Sequence, residues 1–206
     1  MRTTRFLLAL GTAALAPVGA ARGQSLGPFR QFLAVEPYYV NTQLDDGGSG
    51  AGRTSVHGYG ARLWLNAAPF SASRALSKTS VSLFVHGSPM QSGVSTLHYG
   101  ASIDQYLVHR PLGGVIDPLI SLGGGAYRHR SELVAVTGTG AATGPATAST
   151  TKFALTPGVG LRLPIPNRLE LRVDARDAVI FDRTGASGSR RTVNNYEFTG
   201  ALGITF

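Results

Sequence analysis

The chain has 206 residues, with 19 Lys and Arg against 11 Asp and Glu, a formal charge of +8, 27 glycines and no cysteine. That length gives one domain or two small ones, and the missing cysteine excludes a disulfide framework, a thiolate zinc site and a lipid-modified N-terminal cysteine. Beyond the N-terminus no stretch reaches the roughly 18 consecutive apolar residues of a membrane helix, which excludes a helical transmembrane protein.

Residues 1–23 carry Arg2 and Arg5, then an apolar run from Phe6 to Ala16, then small residues. This is the three-part layout of a secretory signal peptide, with cleavage fitting after Ala20 or after Gly23; the run is too short, and its flank too small, for a membrane anchor. Residues 24–206 are then one exported domain. Loss of Arg2, Arg5 and Arg22 takes the 19 basic residues to 16 against 11 acidic, a net +5. The basic residues are scattered, with no run longer than Arg190-Arg191, so this charge suits anionic lipid or glycolipid phosphate and not nucleic acid.

From there the chain alternates with period two, in segments separated by Gly, Ser, Thr, Pro and Asp. Residues 32–43 place Leu33, Val35, Pro37 and Tyr39 opposite Ala34, Glu36 and Tyr38. Residues 55–67 place Tyr59, Ala61, Leu63 and Leu65 opposite Gly58, Gly60, Arg62 and Asn66. Residues 78–88 set Val81, Leu83 and Val85 against Lys78, Ser80, Ser82 and His86, and 96–109 set Leu97, Tyr99, Ala101 and Ile103 against His98, Gly100, Ser102 and Asp104. Residues 117–130, 152–163, 168–181 and 194–206 continue the pattern, the last with Tyr196, Phe198, Leu202, Ile204 and Phe206 opposite Glu197, Thr199, Ala201, Gly203 and Thr205. Pro37, Pro118 and Pro157 fall inside these segments and Asp177 points to the apolar side, so bulges or strand ends are expected there.

Eight such segments make either a soluble sandwich or barrel, with the apolar face inside, or a membrane barrel, with the apolar face toward lipid. Segments of ten to fourteen residues suit a tilted crossing of an apolar band about 25 Å tall. Tyr39, Tyr59, Tyr99 and Phe153, with Phe198, fall on the apolar face toward one rim, as in an interfacial aromatic girdle, and Phe206 marks the other. The connections at 44–54, 131–151 and 182–193 are long and those between them mostly shorter, with both ends of the chain on the short-turn side. The reading is an all-β, eight-stranded antiparallel up-and-down transmembrane β-barrel.

The last segment, YEFTGALGITF, resembles the C-terminal assembly signal of bacterial outer-membrane barrels: a terminal aromatic, Phe206, preceded at alternate positions by Ile204, Leu202, Gly200 and Phe198. With the leader and eight segments, the chain resembles the small outer-membrane barrel family typified by the membrane domain of OmpA. The resemblance implies an outer-membrane location and insertion by the barrel-assembly machinery, but no particular activity.

An eight-stranded bore is just wide enough for its own side chains. Placing each connection symmetrically pairs Glu36 with Arg62, Lys78 with Asp104, Arg162 with Glu170 and Arg176 with Glu197, each of opposite sign and each facing inward. Such pairing suits a bore closed by a satisfied polar core; a narrow conducting pore is the alternative. A third reading is a lipid A or phospholipid-modifying enzyme. His86 and Ser88, two apart on one face, are loosely similar to the His-x-Ser of lipid A deacylases, but Pro89 follows where that family has Asn. His98, Ser102 and Asp104 share a face without converging. No spacing of ligands suggests a metal site, Gly123-Gly124-Gly125 lacks the helix of a phosphate loop, and no catalytic, cofactor or metal residue is assigned. The expected protein is a monomer with a structural or surface-interaction role, whose partners are outer-membrane lipid and lipopolysaccharide, the latter met by Arg183, Arg190 and Arg191.

Overall fold

The computed structural model describes residues 33–45, 52–67, 78–91, 93–107, 116–133, 146–165, 168–182 and 191–206; the expected leader, residues 1–23, lies outside them. Eight strands follow in order: β1 (Leu33–Asp45), β2 (Arg53–Asn66), β3 (Thr79–Gln91), β4 (Val94–Tyr106), β5 (Asp117–Leu133), β6 (Ala146–Ile165), β7 (Leu169–Asp182) and β8 (Arg191–Thr205). Each is antiparallel to its sequence neighbours, and β1 pairs with β8 to close the barrel. At the seam Phe206 N donates to Leu33 O at 2.8 Å. Closure leaves no open sheet edge, which a strand in lipid could not tolerate. The end that bears the β1–β2, β3–β4, β5–β6 and β7–β8 connections is called the upper end below; Leu33 and Phe206 lie at the lower.

The strands run past the expected segments mainly at the upper end. β5 and β6 form the tallest hairpin, paired up to Leu133 and Ala146. Residues 131–133 and 146–151 are Ser, Glu, Leu, Ala and Thr without apolar alternation; a ladder that stands clear of an apolar phase needs no such pattern, so it left no period-two trace. The β3–β4 connection is likewise tighter than the gap left between segments 78–88 and 96–109, with Gln91 opposite Val94 and Gly93 at a left-handed φ of 75°.

Pro37 and Pro157 end no strand and make no bulge, whereas Pro118 does lie at a strand end. The β1–β8 ladder loses its rungs at Glu36 and Pro37, between Val35–Ile204 and Tyr38–Ala201, and the β6–β7 ladder loses those at Thr156 and Pro157. Proline has no N–H to give, so a rung is lost while the register holds. Pro118 sits near the lower end of β5, where its carbonyl still accepts from Leu107 N at 3.0 Å. The irregularity that does occur lies between Ser88 and Gln91, around Pro89. Asp177 does not bulge β7, which pairs through it to Tyr196 of β8. Its carboxylate lies in the field of Arg53, whose guanidinium is 3.8 Å over the ring of Tyr196, the residue opposite Asp177 in register, so a charge expected to disrupt the strand has a cation from β2 nearby.

Glycine governs how closely β4 and β5 approach. Gly100 and Gly125 face each other in register, and a Cβ at Gly125 would collide with the Tyr99 carbonyl oxygen. The glycine run at 123–125 is thus a packing device between neighbouring strands.

Candidate functional site

The alternation is inverted relative to a soluble barrel. Leu83 is 52% exposed, Leu122 61% and Val159 58%, while Glu36, Arg172 and Glu170 are 0% exposed. On β4 outward apolar residues run from Leu97 to Leu107 and on β8 from Tyr196 to Phe206. Ten residues at about 3.3 Å each, tilted by roughly 40°, give a band about 25 Å tall. Tyr39, Tyr59, Tyr99, Phe153 and Phe198 all point outward from the upper part of this band. Tyr39 and Tyr59 meet edge to face at 5.8 Å across β1 and β2, and Phe153 stacks on Phe181 at 6.3 Å. Above them the outward face turns polar, with Asn41, Ser55, His57, Arg128 and Arg130.

Inside, the lower half of the bore is an ionic lattice. Glu36 and Arg62 are opposite each other in register, with Arg62 Nη1 3.1 Å from Glu36 Oε2. Arg62 also reaches across the bore, its Nη2 donating to Asp174 Oδ2 at 2.9 Å. Asp174 is the hub: it accepts from Arg172 Nε at 2.9 Å and from Thr199 Oγ1 at 3.0 Å as well. Arg172 Nη1 goes on to Asp104 at 2.9 Å, and Asp104 accepts from Ser82 Oγ at 3.0 Å. Below this lattice Arg162 lies 4.5 Å over the Trp64 ring and bonds Glu170, within a cluster of Ala34, Trp64, Tyr106 and Leu119.

The expected pairs therefore fare differently. Glu36 and Arg62 are neighbours in register and in contact. Arg162 and Glu170 are in contact, yet in register Arg162 faces Arg172, so the contact is diagonal. Lys78 does not pair with Asp104: the β3–β4 register sets Ser80 against Asp104, leaving Lys78 half-buried below the strand, and Arg172 takes the carboxylate from across the bore. Arg176 and Glu197 are opposite in register but not joined; Arg176 turns to Asp174, its Nη2 3.9 Å from Oδ1, and Glu197 binds histidines.

The upper half of the bore is aromatic. Glu197 Oε1 lies 3.1 Å from His86 Nε2 and 2.9 Å from His98 Nδ1. Tyr38 Oη is 2.9 Å from His86 Nδ1, and Gly60 makes room for it, since a Cβ there would meet the Tyr38 ring at 2.6 Å. Phe84 packs edge-on to His98 at 4.9 Å and Tyr127 leans on it at 5.2 Å. Over this stage lies an apolar layer of Leu44, Val56, Tyr127, Ala154, Ala178 and Ile180. A pocket of about 150 Å³ above the layer, lined by His129, Lys152 and Asn195 among others, ends on Tyr127 and Ile180.

Among the described residues the fully buried charges in the bore are six carboxylates (Glu36, Asp104, Asp117, Glu170, Asp174, Glu197) and four guanidiniums (Arg62, Arg162, Arg172, Arg176), with Lys78 and Lys152 half-buried at its two ends. Arg172 and Asp174 alternate with Leu171 and Val173 in the sequence, but nothing there gives them a role, because Asp104 and Arg62, which they meet, lie across the bore.

The hydrolase candidates do not assemble. His86 and Ser88 both point into the bore, 3% and 4% exposed, away from lipid, and the partners of His86 are Tyr38 and Glu197. His98 is bonded to Glu197 and Asp104 to Arg172, while Ser102 lies between them with no hydrogen-bond partner for its hydroxyl. At the C-terminus Phe198, Gly200, Leu202, Ile204 and Phe206 form the outward row of β8, with Gly203 and Glu197 on its inner face. Gly200 has open space where a side chain would stand. Arg183 and Arg190 lie outside the described residues.

No family model matches the chain, and no curated protein does. Solved structures do. The crystal structure of Neisserial surface protein A aligns with a TM-score of 0.60 at 11% identity, over 84% of this chain and 97% of that one. That of Ail, the attachment invasion locus protein of Yersinia pestis, aligns with a TM-score of 0.51 at 13% identity, over 86% and 100%. At such identities the likeness carries the fold alone: this chain has the closed eight-stranded antiparallel architecture of small outer-membrane barrels.

Proposed function

We propose that this protein is a monomeric, non-enzymatic outer-membrane barrel whose bore is closed by its own side chains and which serves as a structural or surface-interacting element of the cell envelope. The observation that carries the reading is the inverted alternation, apolar side chains outside and a cross-bore ionic lattice inside. A buried charge without a partner costs several kcal/mol, so guanidiniums held by carboxylates on opposite walls resist the rearrangement that opening a path would need. The fold shared with outer-membrane barrels supports the location, and the C-terminal row ending in Phe206 supports delivery by the barrel-assembly machinery.

Cations of the outer face, other than the expected Arg183, Arg190 and Arg191, support contact with lipopolysaccharide. Arg53, Arg128 and Arg130 stand exposed on that face above the aromatic row, at the height where phosphates of a glycolipid headgroup would lie. Conductance tests the closed bore. Purified protein in a planar bilayer is expected to give no steady channels at moderate voltage, whereas reproducible open events of uniform size would establish a pore and overturn the reading. Lipid A and phospholipid acyl chains are expected to be unchanged by the protein; release of a fatty acid in its presence would favour the enzyme alternative.

A further inference from the structure

Glu197 has a different environment from every other carboxylate of the bore. Its register neighbour Arg176 turns away to Asp174 and lies 5.5 Å from the Phe84 ring. Its hydrogen-bonded partners are two imidazoles, from His86 and His98, which face each other across the β3–β4 hairpin with ring centroids 5.0 Å apart. Glu197 comes from β8, on another part of the wall. One ligating atom from each of the three residues lies within 4.8 Å of the others, and all three residues are at most 3% exposed. Glu197 Oε2 and His98 Nε2 are buried with no hydrogen-bond partner.

Among the described residues the partners of this carboxylate are imidazoles and not guanidiniums, unlike those of Glu36, Asp104, Glu170 and Asp174. We propose that His86 Nε2, His98 Nδ1 and Glu197 form a binding site for one divalent transition-metal ion, of which Zn²⁺ suits the two-imidazole, one-carboxylate set best. The ligand atoms are already gathered at hydrogen-bond distances, and metal bonds of about 2.0–2.2 Å need only small side-chain adjustments around the ion. The second oxygen of Glu197 is free to complete the shell. Tyr38 Oη, 2.9 Å from His86 Nδ1, occupies the place of the outer partner that orients a metal-bound imidazole through its other nitrogen.

The surroundings give the ion a structural role. Phe84 and Tyr127 wall the site, and the apolar layer of Leu44, Val56 and Ile180 lies over it. No substrate-sized opening leads there among the described residues; a bound ion would instead tie β3 and β4 to β8 through the interior. The sequence hides the site because its ligands are 12 and 99 residues apart along the chain and converge only when the barrel closes.

Protein refolded in detergent and titrated with Co²⁺ tests this directly. The expected result is one Co²⁺ per chain with visible d–d absorption, displaced by Zn²⁺. Binding should be weakened tenfold or more in His98→Gln and Glu197→Gln and unchanged in His57→Gln, whose imidazole lies on the outer face. Each variant is scored only where unboiled gel migration shows a closed barrel. The wild-type protein needs no variant: its unfolding midpoint should rise with Zn²⁺ and fall back on chelation. A folded wild-type barrel that retains no Co²⁺ and shows no Zn²⁺-dependent midpoint would overturn the proposal, as would full retention in folded His98→Gln and Glu197→Gln.

Discussion

Replacing Asp174 with alanine is expected to destabilise the barrel by about 3–5 kcal/mol, the range for removing one member of a buried charged network. Asp174 holds Arg62 from β2 and Arg172 from its own strand at 2.9 Å and takes a hydroxyl from Thr199 of β8. Its loss leaves guanidiniums crowded in the bore with one fewer anion, and Arg172 keeps only Asp104 within bonding distance among the described residues. Equilibrium unfolding by urea in detergent or lipid vesicles, read by tryptophan fluorescence of the single Trp64, gives the value. Val173→Ala, one residue along on the outer face, is the control and should change stability far less. Equal costs at 173 and 174 would mean that the bore is not organised around this carboxylate.

The second large effect lies on the opposite face of the wall. Leu83→Arg, in the middle of β3 and 52% exposed, should cost about 2–4 kcal/mol in a bilayer, the range for arginine near the midplane of a barrel's lipid face. The same change on a water-facing surface would fall within about 0.5 kcal/mol. Ser55→Arg, outward on β2 above the aromatic row, should be nearly neutral, since the penalty fades toward the interface. A neutral Leu83→Arg would remove lipid from that face.

Period-two alternation made the eight strands and their facing legible in the sequence, because a wall with lipid on one side and packed polar groups on the other constrains every residue of the crossing. Symmetric placement of connections recovered the register of Glu36 with Arg62 and of Arg176 with Glu197. It failed at Lys78, where the tight β3–β4 turn and the irregularity between Ser88 and Gln91 set Ser80 against Asp104, and at Arg162, which faces Arg172 and not Glu170. Register also proved a poor guide to contact. A long arginine in a narrow bore reaches a carboxylate on the far wall as readily as one on the next strand, so Arg62 finds Asp174, 112 residues away, and Arg176 ignores Glu197. Pro37 and Pro157 misled for a related reason: read strand by strand they end pairing, but in a closed barrel the flanking rungs hold the register across a single gap. The meeting of His86, His98 and Glu197 was invisible because it depends on all eight strands at once.

The inversion of faces can be measured without disturbing the interior, since the chain has no cysteine of its own. Single cysteines at Val81, Leu83 and Val85, carrying nitroxide labels in reconstituted vesicles, report collisions with lipid-dissolved oxygen and with a water-soluble nickel chelate. The expected result is high oxygen and low nickel accessibility at all three, deepest at Leu83, with the opposite ranking for a label at Ser55. A label at Leu83 reached freely by the nickel chelate, or immobilised and reached by neither reagent as in a water-soluble core, would contradict it.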